Sequence, residues 1–590
     1  MRLWDEYHGA GFAVMRALQR SLARSRQGLS IVALLTLPAL PLLAATPESE
    51  TATVVIPAPL QITVNSPEDG PAAADEQLTL REAIQIATGM RPLKALSEAE
   101  RSQIAPLNND LPARIIFELP LDRTTIRLQS LLPPLTRPGL TIDGTTQPGY
   151  QKLASTDLEL TPELLPEDAV PLPVVTLTPA RDREVFRGLT IVADNITIRG
   201  LSLYGFTSRH RATASMPPGN IFIAHHLLPD KQRGVAAYES PFPNPPQGIE
   251  ITQNWLGSPP IPGIWNPETN VDLDDIVEDD DAPLGNTPRS AFGIYAFNTL
   301  GTTIHRNHIV NHSGSGIITA KNTENLHITE NIIARNGFGG MPDAIRLEGN
   351  IRNAQIRANL IRENAGSSLY FFKPTGAALI EDNLIANNGK RYRRAAVFLM
   401  GNDHQVANNR IIGQPGPGVA VTGYPSSDRN LIQGNQFAQI DGLSIDLVTE
   451  QDTNVLSFQI ADGANPETNS FQRQRKTANF GIDAPRFVSR EFFLNPRTNS
   501  VTLLGSAEPN ARLEIYRVDE SGSQRGPLSQ PLLTAEADGD GQFSVVLDAL
   551  DSGTVLSATA THPSYGTSEP SLNVKIRSII PTGARSELPH

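Results

Sequence analysis

The sequence predicts an all-β protein whose centre is a single-stranded parallel β-helix, and three observations predict it. First, a phrase of asparagine, aliphatic residues and a polar Asn/Gly turn recurs at Asn307, Asn331, Asn359, Asn383, Asn409 and Asn435, spaced 24, 28, 24, 26 and 26 residues, with an earlier copy at Asn254. A period in the twenties built from short apolar runs marks a β-solenoid, because one coil cannot bury its inner face without neighbours. Second, the runs GIYAF, GIITA, AIRLE, SLYFF, AVFLM, GVAVT and GLSID align in register and carry no helical period. Third, the chain beyond residue 484 alternates apolar and polar residues between Gly, Pro and Asn turns, the pattern of a small antiparallel sandwich.

The 590 residues suffice for two or three domains. A formal charge of −13 excludes nucleic acid as the main partner, since phosphate binding wants a basic face. With no cysteine there is no disulfide, thiolate nucleophile or lipobox. Residues 1–45 read as a secretory signal: Arg16, Arg20, Arg24 and Arg26 precede the apolar run 31–43, and Ala44, Ala45 and Thr46 supply small residues for cleavage. The long lead before Met15 leaves the start of translation open between Met1 and Met15. No later stretch is long and apolar enough to span a bilayer as a helix.

Residues 46–60 read as a Thr/Pro/Glu linker and 61–112 as an N-terminal cap region. There Thr79 and Glu82 have capping-box spacing, and Leu80, Ala83, Ile84 and Ala87 form one apolar face, so a short helix is expected to cover the first coil. The β-helix spans 113–460, interrupted by insertions at 206–247 and 258–290. A connector (461–483), the sandwich (484–578) and a tail (579–590) follow.

The pair TLREAI (79–84) and IDGTTQPGY (142–150) resembles the start of secreted bacterial right-handed parallel β-helix proteins. Many of these read Cys-Ser where this chain has Leu78 and Thr79. The resemblance covers roughly residues 60–580. It implies a right-handed, pectate-lyase-like solenoid followed by an immunoglobulin-like tail domain, in a protein of the periplasm, the outer surface or the medium. It implies no particular activity.

Period-two alternation places Ile294, Ile317, Ile345, Leu369, Val397, Val419 and Leu443 inside the rod. Two outward columns result. One is Tyr295, Ile318, Arg346, Tyr370, Phe398, Ala420, Ser444; the other is Phe297, Ala320, Glu348, Phe372, Met400, Thr422, Asp446. Aromatics on an outward strand face mean contact with something. Tyr295, Phe297, Arg346, Tyr370, Phe372 and Phe398 are therefore the candidate ligand contacts: sugar rings stack on aromatic faces and charged groups bond hydroxyls. Cover by the insertions or the tail domain is the competing explanation. The repeated asparagines read as a structural ladder rather than as ligands.

Catalytic candidates are Asp343, Arg346 and Glu348 on one coil, Lys373 on the next, and Asp403 with His404 at a coil edge. Two carboxylates serve a hydrolase as acid and base, whereas a lyase needs a base such as Arg346 or Lys373. Asp272, Asp274, Asp275, Asp279 and Asp280, with Glu278 and Asp281, are candidate calcium ligands, although a like-charge run is more often a solvated loop. No other cofactor is indicated. The tract Lys390, Arg391, Arg393, Arg394 suits either an acidic polysaccharide or the acidic insertion. Three functional readings stand open: a non-catalytic binder of polysaccharide or another extended surface polymer, a polysaccharide lyase or glycoside hydrolase, and a cell-surface adhesin or structural protein.

Overall fold

The computed structural model describes residues 58–151, 170–208, 217–225, 227–230, 235–239, 244–260, 289–449, 459–467, 469–472, 476–519 and 523–578. The signal, most of the linker, the acidic run 272–281 and the tail 579–590 lie outside the described residues.

The repeat winds into a parallel β-helix of three sheets, with twelve, ten and nine strands. In a representative coil the first-sheet strand His327–Thr329 ends at Glu330, which has φ 54°, and Asn331 then leads into the second-sheet strand Ile332–Ala334. Arg335, with φ 55°, and Asn336 make the next corner, and a loop leads to the third-sheet strand Ile345–Asn350. Apart from Ile104–Pro106, which pairs antiparallel with Leu60–Val64 at the start of the first sheet, each strand stacks in parallel register on its counterpart in the next coil. Ile304, Ile328, Ile356, Ile380, Val406 and Ile432 form one inner column. Ile294, Ile317, Ile345, Leu369, Val397 and Val419 form another, and both columns are buried.

The left-handed residue at each corner bends the chain within one residue, and the asparagine after it satisfies what the bend leaves unpaired. The Asn331 backbone N–H and Nδ2 both donate to Asn359 Oδ1, at 3.0 and 3.0 Å, while Nδ2 also donates to the Ile304 carbonyl at 2.8 Å. The same pattern runs unbroken from Asn254 through Asn307, Asn331, Asn359, Asn383 and Asn409 to Asn435. A second ladder, absent from the sequence reading, follows at the next corner: His312, Asn336, Asn364 and Asn388. Its members stand five residues after those of the first ladder, a spacing visible in NIIARN, NLIREN and NLIANN.

The rod begins earlier than residue 113. Leu60–Val64, assigned above to the linker and cap, pairs in parallel with Arg114–Phe117 and is already a rung. It read as linker because Pro57 and Pro59 precede, and Pro67 follows, a single short apolar run. The expected helix is present as α1 (Leu80–Ala87), with the Thr79–Glu82 capping box formed and its apolar face buried. Arg81 stitches this cap to the rod, pairing with Asp69 at 2.7 Å and donating to the Ser130 and Leu131 carbonyls at 2.8 and 2.7 Å. The span 206–247 is not wholly an insertion. Gly219–Ile223 is a buried third-sheet rung between Arg187–Ile191 and Ile294–Leu300, hidden in the sequence by the proline-rich segments around it.

The tail is a two-sheet sandwich, one sheet built on Ser500–Ser506 and Gln542–Asp548, the other on Arg512–Val518 and Val555–His562. One pair, Glu491–Leu494 with Val574–Ser578, is parallel rather than antiparallel as expected. The tail domain closes the open end of the rod. Ile432 N–H donates to Thr567 Oγ1 at 2.9 Å, Phe437 N–H to the Leu528 carbonyl at 3.0 Å, and Leu447 N–H to Glu569 Oε1 at 3.2 Å. These three amides belong to the last strands of the first, second and third sheets. Unpaired strand edges invite association, so this closure keeps the rod from templating further strands.

Replacing Asn359 with alanine orphans the Asn331 amide and the Ile328 carbonyl inside the rod. It is expected to cost about 3 kcal/mol in urea denaturation, whereas Gln405→Ala on the exposed face is expected to change stability by less than about 0.5 kcal/mol.

Candidate functional site

The third sheet carries the predicted outward residues, and strand pairing decides which are neighbours. Phe222, Tyr295, Ile318, Arg346, Tyr370, Phe398, Ala420 and Asp446 follow one another in a single column. The last rung differs from the expectation by two residues. Val419 faces Ile445 rather than Leu443, so Asp446 and not Ser444 ends the first column. A slip of two preserves the in–out alternation, which is why the residue pattern alone could not detect it.

Most of the predicted aromatic strip is roofed over. Phe398 is 0% exposed, Tyr370 2% and Tyr295 8%. Ala461 of the connector packs on the cluster of Tyr370, Phe398, Met400 and Ala420, and Ala395 N–H donates to the Gln459 carbonyl at 2.8 Å. Phe292, Phe297 and Met341 pack around Phe222 and Tyr295. Tyr295, Tyr370 and Phe398 are therefore not surface contacts. Removing their rings from water is favourable in itself, at about 25 cal/mol per Å² of apolar area.

What stays accessible is a compact group around the bulge in Leu369–Thr375. Phe372 is 37% exposed and Tyr424, which the sequence reading missed, is 57% exposed. The Lys373 ammonium lies 5.8 Å from the Phe372 ring centre and 5.9 Å from that of Tyr424. The Arg346 guanidinium lies 4.8 Å from the Tyr370 ring and 4.9 Å from the Phe372 ring, and it pairs with Glu348. Lys373 has φ 46°, a left-handed backbone where the register shifts by one residue, and this conformation costs a non-glycine residue about 1–2 kcal/mol. The only sequence signal for Tyr424 is its place in a Gly-Tyr-Pro turn directly after a rung.

The other catalytic candidates are placed elsewhere. The Asp343 side chain is 1% exposed; it pairs with Arg394 at 3.2 Å and accepts from Ser367 N–H at 3.0 Å. Burial pushes its carboxyl above the ordinary carboxylate range, against the pull of Arg394 and Arg346. It has no route to a polymer on the face, so it does not make an acid–base pair with Glu348. Asp403 is held bidentately by Arg429 at 2.7 and 2.8 Å. His404 is fully buried: Nδ1 accepts from Ala378 N–H at 3.1 Å, and Nε2 lies 3.0 Å from the Met400 carbonyl. It is a corner residue, continued on later turns by Asn430 and Asn479. In the basic tract, Arg393 pairs with Asp441 and Arg394 with Asp343, while Arg391 donates to the Phe338 carbonyl.

Residues 284–457 match the family described as "Periplasmic copper-binding protein (NosD)". No curated protein matches the chain. Similar solved structures include "Geobacillus virus E2 - ORF18" (9% identity, 90% of this chain and 79% of that one, TM-score 0.39). The periplasmic alginate epimerase AlgG gives 12% identity, 69% and 77% coverage and a TM-score of 0.29. PfbA, a surface adhesin of Streptococcus pneumoniae, gives 12% identity, 61% and 83% coverage and a TM-score of 0.29. The fold rests on the strand pairing above rather than on these scores.

The described residues of the matched span do not fit a copper centre. His312 is engaged at both nitrogens, by Asn336 at 2.8 Å and Asn220 at 3.1 Å, as His404 is by backbone groups. His308 is buried against the Trp255 ring at 4.3 Å, and His305 Nδ1 bonds Thr329 at 3.0 Å. Among the described residues no three His, Asp or Glu side chains converge as metal ligands. No helix of the described residues is long and apolar enough to cross a membrane.

Burial holds three of these histidines neutral, pushing His308 down to about 3 and His312 and His404 to about 4. Their folded values lie below the unfolded 6.5, so this stability is present above pH 6.5 and is lost as pH falls through about 4. The rod is expected to lose several kcal/mol between about pH 7 and 4 in denaturant titrations. His404→Asn, which places in the corner the residue that fills the next turn, is expected to reduce that loss.

Proposed function

We propose that this is an exported protein that binds an extended polysaccharide across the open part of the third-sheet face. Phe372 and Tyr424 give apolar ring surfaces, and Arg346 and Lys373 supply donors beside them. The observation that carries this reading is the Lys373 ammonium standing within 6 Å of two exposed aromatic rings, on a backbone bent into the left-handed region. Rings flanking a cation suit a ligand that is apolar on one face and hydroxyl-rich at its rim. Stacked coils, about 4.8 Å apart, extend the contact along the rod, as a polymer requires. The NosD match, to a family described as periplasmic, is consistent with export.

Cleavage of the polymer is the second reading, and it rests on the exposed Lys373 with the partly covered Arg346–Glu348 pair beside it. Asp343 and His404, being enclosed, take no part in it. The adhesin reading, with the tail domain as a spacer, has less support, because that domain is spent on closing the rod.

Purified protein titrated with a panel of uronate and neutral polysaccharides tests the proposal. Phe372→Ala with Tyr424→Ala is expected to weaken the best ligand by at least about tenfold, or about 1.4 kcal/mol. Phe398→Leu is expected to leave affinity unchanged. Unaltered affinity in the Phe372/Tyr424 double variant eliminates this face as the site. New unsaturated or reducing ends in the same mixtures convert the binder into a lyase or a hydrolase.

A further inference from the structure

Two acidic side chains are buried where the tail domain meets the last coil, and neither belongs to the face described above. Asp446 lies on the last third-sheet strand and Glu569 on the segment of the tail domain that covers it; they are 2% and 4% exposed. Glu569 accepts three hydrogen bonds. Oε1 receives Leu447 N–H at 3.2 Å and Asn465 Nδ2 at 2.7 Å, and Oε2 receives Asn465 N–H at 2.9 Å. Asp446 Oδ2 receives Gly463 N–H at 3.0 Å, but its Oδ1 is buried without a partner. Asp462 stands beside Asp446 and is held by the Thr449 N–H and hydroxyl at 3.0 and 2.7 Å. The positive groups nearby are Arg525, which donates to the Pro570 carbonyl at 2.6 Å, and Arg490.

We propose that Asp446, Asp462 and Glu569 form a proton-held latch: one proton carried on Asp446 lets the connector and the tail domain close the third-sheet end of the rod, and loss of that proton as pH rises loosens the closure. Hydrogen-bond accounting places the proton. Glu569 already accepts three donors across its two oxygens, whereas the buried Asp446 Oδ1 has none, so a proton shared by the pair is best accommodated on Asp446. Two ionised carboxylates this enclosed repel, so one stays neutral while the site is shut.

The electrostatics agree. Burial, with the neighbouring Glu569 and Asp462, pushes Asp446 well above the usual carboxylate range, and burial pushes Glu569 up to about 7. Both folded values exceed the unfolded ones. The stabilisation is therefore complete below the ordinary carboxylate value and is lost as pH rises through about 7. The rod interior responds in the opposite sense through its buried histidines, so the two effects separate in one experiment.

Hydrogen exchange on the full chain, corrected for intrinsic rates, tests this between about pH 5.5 and 8.5. The Leu447, Gly463 and Asn465 amides are expected to lose at least about tenfold in protection as pH rises, while Ile332, inside the rod, does not. Asp446→Asn keeps the shape and replaces the proton with an amide donor; it is expected to remove the pH dependence. Asp462→Asn, whose amide oxygen can still accept from Thr449, is expected to weaken it and serves if the first variant does not fold. Flat protection in the parent protein overturns the latch, as does an unchanged fall in either variant. Protection that collapses with chelator and returns with calcium also overturns it, because a cation and not a proton then holds the site.

Discussion

From Thr197 onward each coil of this rod turns from its first to its second sheet within one or two residues, and that corner leaves a backbone amide and a carbonyl facing an apolar interior. The asparagine after each left-handed residue answers both at once. Its side-chain oxygen takes the amides of the preceding coil, and its Nδ2 donates to that coil's carbonyls. A buried polar group left unpaired costs about 1–3 kcal/mol, so a rod with bare corners would not hold its sheets at fixed angles. The angle between the first and second sheets is therefore set by side chains that never meet solvent, and the second ladder fixes how the chain leaves the second sheet towards the outward face.

A stacked solenoid has two open ends, and this chain closes them differently. At the start, α1 lies over the first coil, with Arg81 tied to Asp69 and to the Ser130 and Leu131 carbonyls. At the finish, a separate sandwich supplies a partner to the last strand of each sheet. Reaching that sandwich takes the connector across the third sheet, where Ala461 settles on Tyr370 and Phe398. Closing the end and covering the aromatics are thus one structural event. The face that survives is the part beyond the connector, around Phe372, Lys373 and Tyr424.

The inner columns, α1 and the first asparagine ladder were legible because each rests on local spacing. Capping-box geometry needs three residues, alternation needs two, and the ladder needs one period. The second ladder was equally local and lay five residues beyond the first, but His312 and the surrounding Gly/Pro loops blurred its period. The extra rungs at Leu60–Val64 and Gly219–Ile223 were obscured by flanking prolines. The final rung slipped by two because Gly442 matches Gly418 at 24 residues, whereas the strands keep the 26-residue repeat; the difference leaves every residue on its predicted side. Asp343 and His404 looked like chemistry because carboxylates and imidazoles are the usual acids and bases; in the fold one is an ion-paired corner and the other a rung of hydrogen bonds.

By itself, then, the order of residues determined the coil: its period, its aliphatic interior and the residues pointing outward, since these follow from backbone geometry repeated every two dozen positions. Which outward residues meet water was decided only in three dimensions. Phe372 and Phe398 both point outward, one coil apart, yet one is open and the other sealed by a segment that arrives from beyond the last coil. The pairing of Asp446 with Glu569 belongs to the same class. Long-range packing brings together groups more than a hundred residues apart, and no local period records that meeting.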